Sequence, residues 1–195
     1  INPEAPEALV GKGEAAIQKM EYQEAESFAQ RALKSQPNHP DALILLSEIS
    51  LAESNSAKAR EQLALARKAR PRDEKILGRL GALAWLDGKT AELQNLEKEA
   101  LSFDKKPALF YLEMGELPSS RRRFSEAEIR LKQAIELRPN LPEPLISLAM
   151  LSLQMGREAE ARTLLEKGLK ADPFHVQTAN SLKVLRHLDK YETLK

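Results

Sequence analysis

The stretch ISLAMLSLQMGREAEARTLLEKGLKADP, Ile146 to Pro173, decides how this chain folds. It reads as two helical runs with Met155-Gly156-Arg157 as the turn between them. Pro173 stops the second run, because proline has no N–H to donate and clashes with the preceding helical turn. A single pair of this kind cannot bury its apolar face alone, so it needs neighbours of the same design.

Those neighbours are present. Pro37 and Pro71 are 34 residues apart, as are Pro139 and Pro173, and 68 residues separate Pro71 from Pro139. The missing beat falls at Lys105, with Pro107 two residues late. A 34-residue grid divides the chain at about Pro6, Pro40, Glu74, Ala108 and Pro142, with a remainder from about Val176. Small residues then recur at fixed places: Ala32, Ala66, Ala100, Ala134 and Gly168 at one, Ala25, Ala59, Ala127 and Ala161 (with Leu93 between) at another. Leu9, Leu43, Leu77, Tyr111 and Leu145 recur in the first helices, each followed four residues later by Gly13, Ser47, Gly81, Gly115 or Ala149. Small residues allow paired helices to approach closely while leucines fill the layer between them.

The pattern resembles the tetratricopeptide repeat, whose signature places small residues, a leucine and a proline at these intervals. LGRLGALAWLDGK and EYQEAESFAQRALKSQPN carry it as clearly as the opening stretch. The resemblance covers nearly the whole chain and implies an all-α fold, a right-handed α-α superhelix. One solenoid over 1–195 is expected, with repeats at about 6–39, 40–73, 74–107, 108–141 and 142–175. A C-terminal capping helix at about 176–190 follows, with Leu182, Val184, Leu185 and Leu188 as its apolar face.

Composition agrees. Ala, Leu, Glu, Lys, Arg and Gln dominate, aromatics are only 5%, and such residues favour helix over strand. Thirty basic side chains against 29 acidic ones leave little long-range attraction for nucleic acid, and no apolar run suggests membrane insertion. With no cysteine there is no disulfide framework or thiolate metal site. The sequence starts at Ile1 rather than Met, which fits a piece of a longer chain. Lys12, in a slot otherwise apolar, fits an N-terminal end that is mobile or covered.

LPSSRRRFSEAE, Leu117 to Glu128, is the irregular stretch. Pro118 is expected to end its helix a turn early, and Ser125 with Glu128 reads as a capping box that starts the next. Phe124 would be the apolar staple before that cap, leaving the three arginines in an exposed turn.

In the resembling family, first helices line a concave groove that holds a peptide or partner helix. Carried over residue by residue, the groove here comprises Val10 and Glu14; Ile44, Glu48 and Leu51; Lys75, Arg79 and Trp85; Leu112 and Glu116; and Ile146, Met150 and Leu153. Their apolar members form an expected open strip that an apolar, mixed-charge segment would fit. Lys75 and Arg79 match two basic positions of the family's carboxylate clamp, but Val10, Glu14 and Leu45 stand where its lysine and asparagines belong, so the clamp is incomplete.

No catalytic constellation or cofactor motif appears. His39 and His175 occupy one slot after the stop proline, which suits turn chemistry, and neither belongs to an H-E-x-x-H pair. The sequence therefore reads as a non-enzymatic protein-interaction scaffold. An accessory region of a larger protein is the second reading, since YETLK resembles the junction with a zinc-peptidase-like domain; a self-assembling homo-oligomer is the third.

Overall fold

The computed structural model describes residues 2–188, and every regular element among them is an α-helix. The helices are α1 (Pro6–Gln18), α2 (Tyr22–Ser35), α3 (Pro40–Ala52), α4 (Ser56–Ala69), α5 (Glu74–Leu86) and α6 (Thr90–Phe103). They continue with α7 (Ala108–Ser120), α8 (Phe124–Leu137), α9 (Pro142–Gln154), α10 (Glu158–Ala171) and α11 (Val176–Leu188). The chain divides into two compact units, Ile1–Leu96 and Glu97–Lys195, with the boundary inside α6. In unit 1, α1 pairs with α2 and α3 with α4, while α2 and α4 each lean on the next first helix. Unit 2 repeats this plan, α7 with α8 and α9 with α10, and α11 lies against α10.

Each first helix ends in the same way. Met20, Ser54, Gly88, Arg122 and Gly156, all 34 residues apart, hold φ between 59° and 73°. The residue after each donates its N–H back five residues, to the carbonyl of Ala16, Ser50, Ala84, Pro118 or Ser152, at 2.7–2.9 Å. This is the Schellman closure, in which a left-handed residue lets the main chain satisfy its own last carbonyls. Only two of the five are glycine, so Met20, Ser54 and Arg122 carry the strain of a side chain in that region.

LPSSRRRFSEAE follows the same closure and departs from the sequence reading. Pro118 lies inside α7, which runs on to Ser120. The ring removes one bond to the preceding turn without ending the helix, and the Pro118 carbonyl still accepts from the N–H groups of Arg121 and Arg123. Ser125 is not the cap of α8. That place is taken by Arg123, Phe124 is the first helical residue, and Glu128 instead reaches Lys132 and Arg157.

Helix starts have several other solutions. Asn55 and Asp73 cap α4 and α5 by accepting backbone N–H groups, and proline opens α1, α3 and α9. His39 Nδ1 accepts the N–H of Ala42, and His175 Nδ1 that of Thr178, so both histidines are helix caps.

The small residues of the grid sit in the closest contacts. Ala25, Ala59, Ala127 and Ala161 are fully buried. A Cβ on Gly115 would lie 2.8 Å from Leu131 Cγ and 3.2 Å from the carbonyl of Ala127. Where the pattern breaks, polarity enters: Tyr111 replaces a leucine, Glu97 stands in an apolar slot, and the Tyr111 hydroxyl donates to Glu97. On α11, Leu182 and Leu185 are buried, but Val184 is 59% exposed and does not share their face. The side chain of Leu188 and residues 189–190 lie outside the described residues.

Candidate partner-binding site

In unit 1 the candidate residues come from three first helices. Glu14 with Ile17 on α1, and Ile44, Glu48 and Leu51 on α3, fall at intervals of three or four residues, so each set shares one helix face. Lys75 and Arg79 do the same on α5. An ion pair between Arg79 and Glu48 joins α3 to α5. Asp41, one step before this face, is paired with Arg70, which also lies 3.4 Å from Asp73. Ile17, Ile44, Leu51 and Trp85 are all half-buried, leaving apolar edge open to solvent.

Glu14 differs from its neighbours. It is exposed and has no ion pair among the described residues, yet the atoms around it strip enough water to push its carboxyl above the usual carboxylate range. Glu48 and Asp41 push the same way, and Lys75 and Arg79 only partly oppose them. Exposure together with dehydration is what a group on a recessed surface experiences.

Unit 2 builds this face from α7 and α9. Glu116 is exposed and Met150 and Leu153 are half-buried. Leu112 and Ile146, expected on the open strip, are core residues at 5% and 8% exposure, as is Val10 of unit 1 at 5%. All three stand one residue after the recurring leucine or tyrosine, as half-buried Ile44 does, so the slot lies at the edge of the core and its local neighbours decide how far it is covered. Val10 packs with Leu9, Ala32 and Ala42, and Ile146 approaches the open backbone of Gly168.

Three other charged side chains, Arg123, Lys12 and Arg31, have local partners. Arg123 pairs with Glu126 at 2.7 Å. Lys12 lies over the Phe28 ring, as does Arg31, which is itself bound to Glu4. Among the described residues no group of three or more His, Asp or Glu is placed to hold a metal ion, and no helix is long and apolar enough to cross a membrane.

The tetratricopeptide repeat model matches residues 16–83 and 111–183, more than half of the chain. The chain belongs to the tetratricopeptide repeat family. Protein O-mannosyl-transferase TMTC3 of Homo sapiens is 25% identical over 182 residues, 91% of this chain, and the chain spans 20% of that relative's length. A thermophilic tetratricopeptide protein of Thermus thermophilus is similar in structure, with a TM-score of 0.57 at 24% identity over 94% of this chain and all of that one. YrrB, a tetratricopeptide protein with an unusual peptide-binding site, gives 0.50 at 14% identity over 93% and 94% of the two chains. At such identities the likeness is one of fold. Tetratricopeptide arrays are generally non-catalytic scaffolds for protein interaction, and this chain shares their tandem helix pairs.

Proposed function

We propose that this chain is a non-catalytic scaffold that receives a peptide or partner segment on the face made by its first helices. The observation carrying this reading is the unit 1 face, where half-buried Ile17, Ile44, Leu51 and Trp85 stand beside Glu14, Glu48, Lys75 and Arg79. Open apolar edges next to fixed charges suit a segment with apolar anchors and mixed charge. In unit 2 the corresponding face carries Glu116, Met150 and Leu153. That YrrB has a peptide-binding site makes a peptide the reasonable ligand class for the same fold. The use of His39 and His175 as helix caps also favours binding over catalysis.

Ile44→Glu is the test, with Trp85→Ala beside it and helicity followed by circular dichroism. Proteins captured by the wild-type chain should be identified by mass spectrometry, and the binding then measured with purified components. Ile44→Glu should weaken binding at least about a hundredfold at unchanged helicity, because it places a charge in an apolar contact. Equal affinity of wild type and variant would remove the first-helix face from the proposal.

A second reading, a repeat region within a larger protein, is favoured by the fifth of TMTC3 that the chain spans. Sequencing the coding region on either side of this segment decides it.

A further inference from the structure

The turn between α7 and α8 departs from its counterparts in two places at once. Among the five registered turns, only this one holds three cations in a row, Arg121, Arg122 and Arg123, all of them exposed. Two places after its cap position stands Ser125, where the other units carry Gln23, Ala57, Ala91 and Ala159. A run of arginines and a hydroxyl thus enter the same repeat together.

Ser125 is exposed, lies second in α8, and its hydroxyl makes no hydrogen bond among the described residues. The other serines of the stretch are placed differently. Ser119 and Ser120 precede the arginines, and Ser120 Oγ donates to the carbonyl of Leu117. No other described hydroxyl follows two adjacent basic residues within four positions. Arg123 holds Glu126 at 2.7 Å, whereas the Arg122 guanidinium has no partner among the described residues. Kinases that prefer basic substrates pair their own carboxylates with arginines two and three residues before the hydroxyl, since a guanidinium offers a carboxylate a two-pronged contact. Arg123 and Arg122 stand at those two places.

We propose that Ser125 is a phosphorylation site for a kinase that reads Arg122 and Arg123, and that its phosphate is then held by the arginines of the same turn. In the transfer Ser125 Oγ attacks the terminal phosphorus of a nucleoside triphosphate. The new O–P bond forms as the bond to the departing diphosphate breaks, and the hydroxyl proton passes to the catalytic carboxylate of the kinase. The first turn of a helix opens more easily than its middle, so Ser125 reaches an extended kinase cleft while the buried part of α8 stays packed. After transfer the phosphate brings about two negative charges to the three arginines. It also supplies acceptors to a helix start for which Arg123 provides no side-chain cap. Modification therefore turns a basic edge of unit 2 into a nearly neutral and stiffer one. This site is separate from the first-helix face and does not depend on it.

The experiment incubates the intact chain with magnesium ATP and the catalytic subunit of cyclic-AMP-dependent protein kinase, and locates the phosphate by tandem mass spectrometry. Wild type should be modified at Ser125, and Ser125→Ala should lose that incorporation. Arg122→Gly removes one recognition cation while relieving backbone strain, so it should slow incorporation at least about tenfold with no loss of helicity. The purified phosphorylated chain should melt about 2 °C above the unmodified one, the scale of one added helix cap at this length. No phosphate at Ser125, or a rate indifferent to Arg122→Gly, would overturn the proposed recognition. An unchanged or lowered Tm after complete modification would overturn capture of the phosphate by its own turn.

Discussion

Units 1 and 2 use one backbone plan for two different surfaces. Unit 1 presents a face in which the charge-bearing side chains Glu14, Glu48, Lys75 and Arg79 lie among half-buried Ile44, Leu51 and Trp85. On the matching face of unit 2, Leu112 and Ile146 are in the core, leaving Glu116, Met150 and Leu153 outside. What the repeat keeps constant is the closure of each first helix and the small residues beneath it. What it leaves free is the outward slot, and there the two units diverge. Scaffold and chemistry are therefore assigned to different positions of the same 34-residue period, and can be broken separately.

The largest effect should come from the shared layer. Gly115→Val in unit 2 should cost roughly 3 kcal/mol, seen as a lower midpoint in urea, because its Cβ meets Leu131 Cγ and the Ala127 carbonyl. Gly13→Val in unit 1 should cost less. The nearest atom there is Leu45 Cδ2, the movable end of a side chain. Equal costs would break the claim that the two layers differ only in what can yield.

Next come the turns. Gly88→Ala and Gly156→Ala, one in each unit, should each cost about 1 kcal/mol through backbone strain alone, since a Cβ at either site meets nothing within 4 Å. Ser54→Gly and Arg122→Gly should each raise stability by about 0.5 kcal/mol by removing that strain. Opposite signs in thermal melts of the four variants would sharpen the view that both units share one closure.

The smallest effects concern protons, and they carry opposite signs in the two units. Glu14 has a raised carboxyl pKa, from dehydration and then from Glu48 and Asp41. Between the ordinary carboxylate value and that raised value, the folded state binds more protons than the unfolded one, so stability falls as pH rises. In unit 2, the Lys132 hydrogen bond and then Arg157 hold Glu128 below the ordinary value. Its contribution is present above the unfolded pKa and is lost as pH falls through the folded one. Glu14→Gln should flatten the first slope and Glu128→Gln the second, measured as urea midpoints across pH 3–7. A common sign for both would contradict the contrast between an unmatched and a matched carboxylate.

Much of this was legible in the residues. Proline spacing and the recurring small residues located the helices, because both act through the main chain and do not depend on distant partners. Pro118 misled because the one bond it removes is outweighed by the fixed closure around Arg122, which decides where α7 stops. Met20, Ser54 and Arg122 carry no glycine signal, although their register with Gly88 and Gly156 marks them. The site was harder to read. Val10, Leu112 and Ile146 were placed outward by family position, yet they are buried where Ile44 in the same slot is half-buried, a difference set by local packing that no single position reveals. The matching of Asp41 by Arg70 and of Glu48 by Arg79 spans about thirty residues of chain, so which carboxylate is left over emerges only when the helices are assembled.

The left-handed closures have a practical use. Each is held by main-chain atoms, so the side chain at its centre is free to be replaced, and the chain contains no cysteine. Single cysteines at Met20, Ser54 or Arg122 would accept a fluorophore or spin label at equivalent points of three repeats, away from the small-residue contacts. The period that folds the chain thus also supplies a set of evenly registered attachment points for watching a ligand arrive.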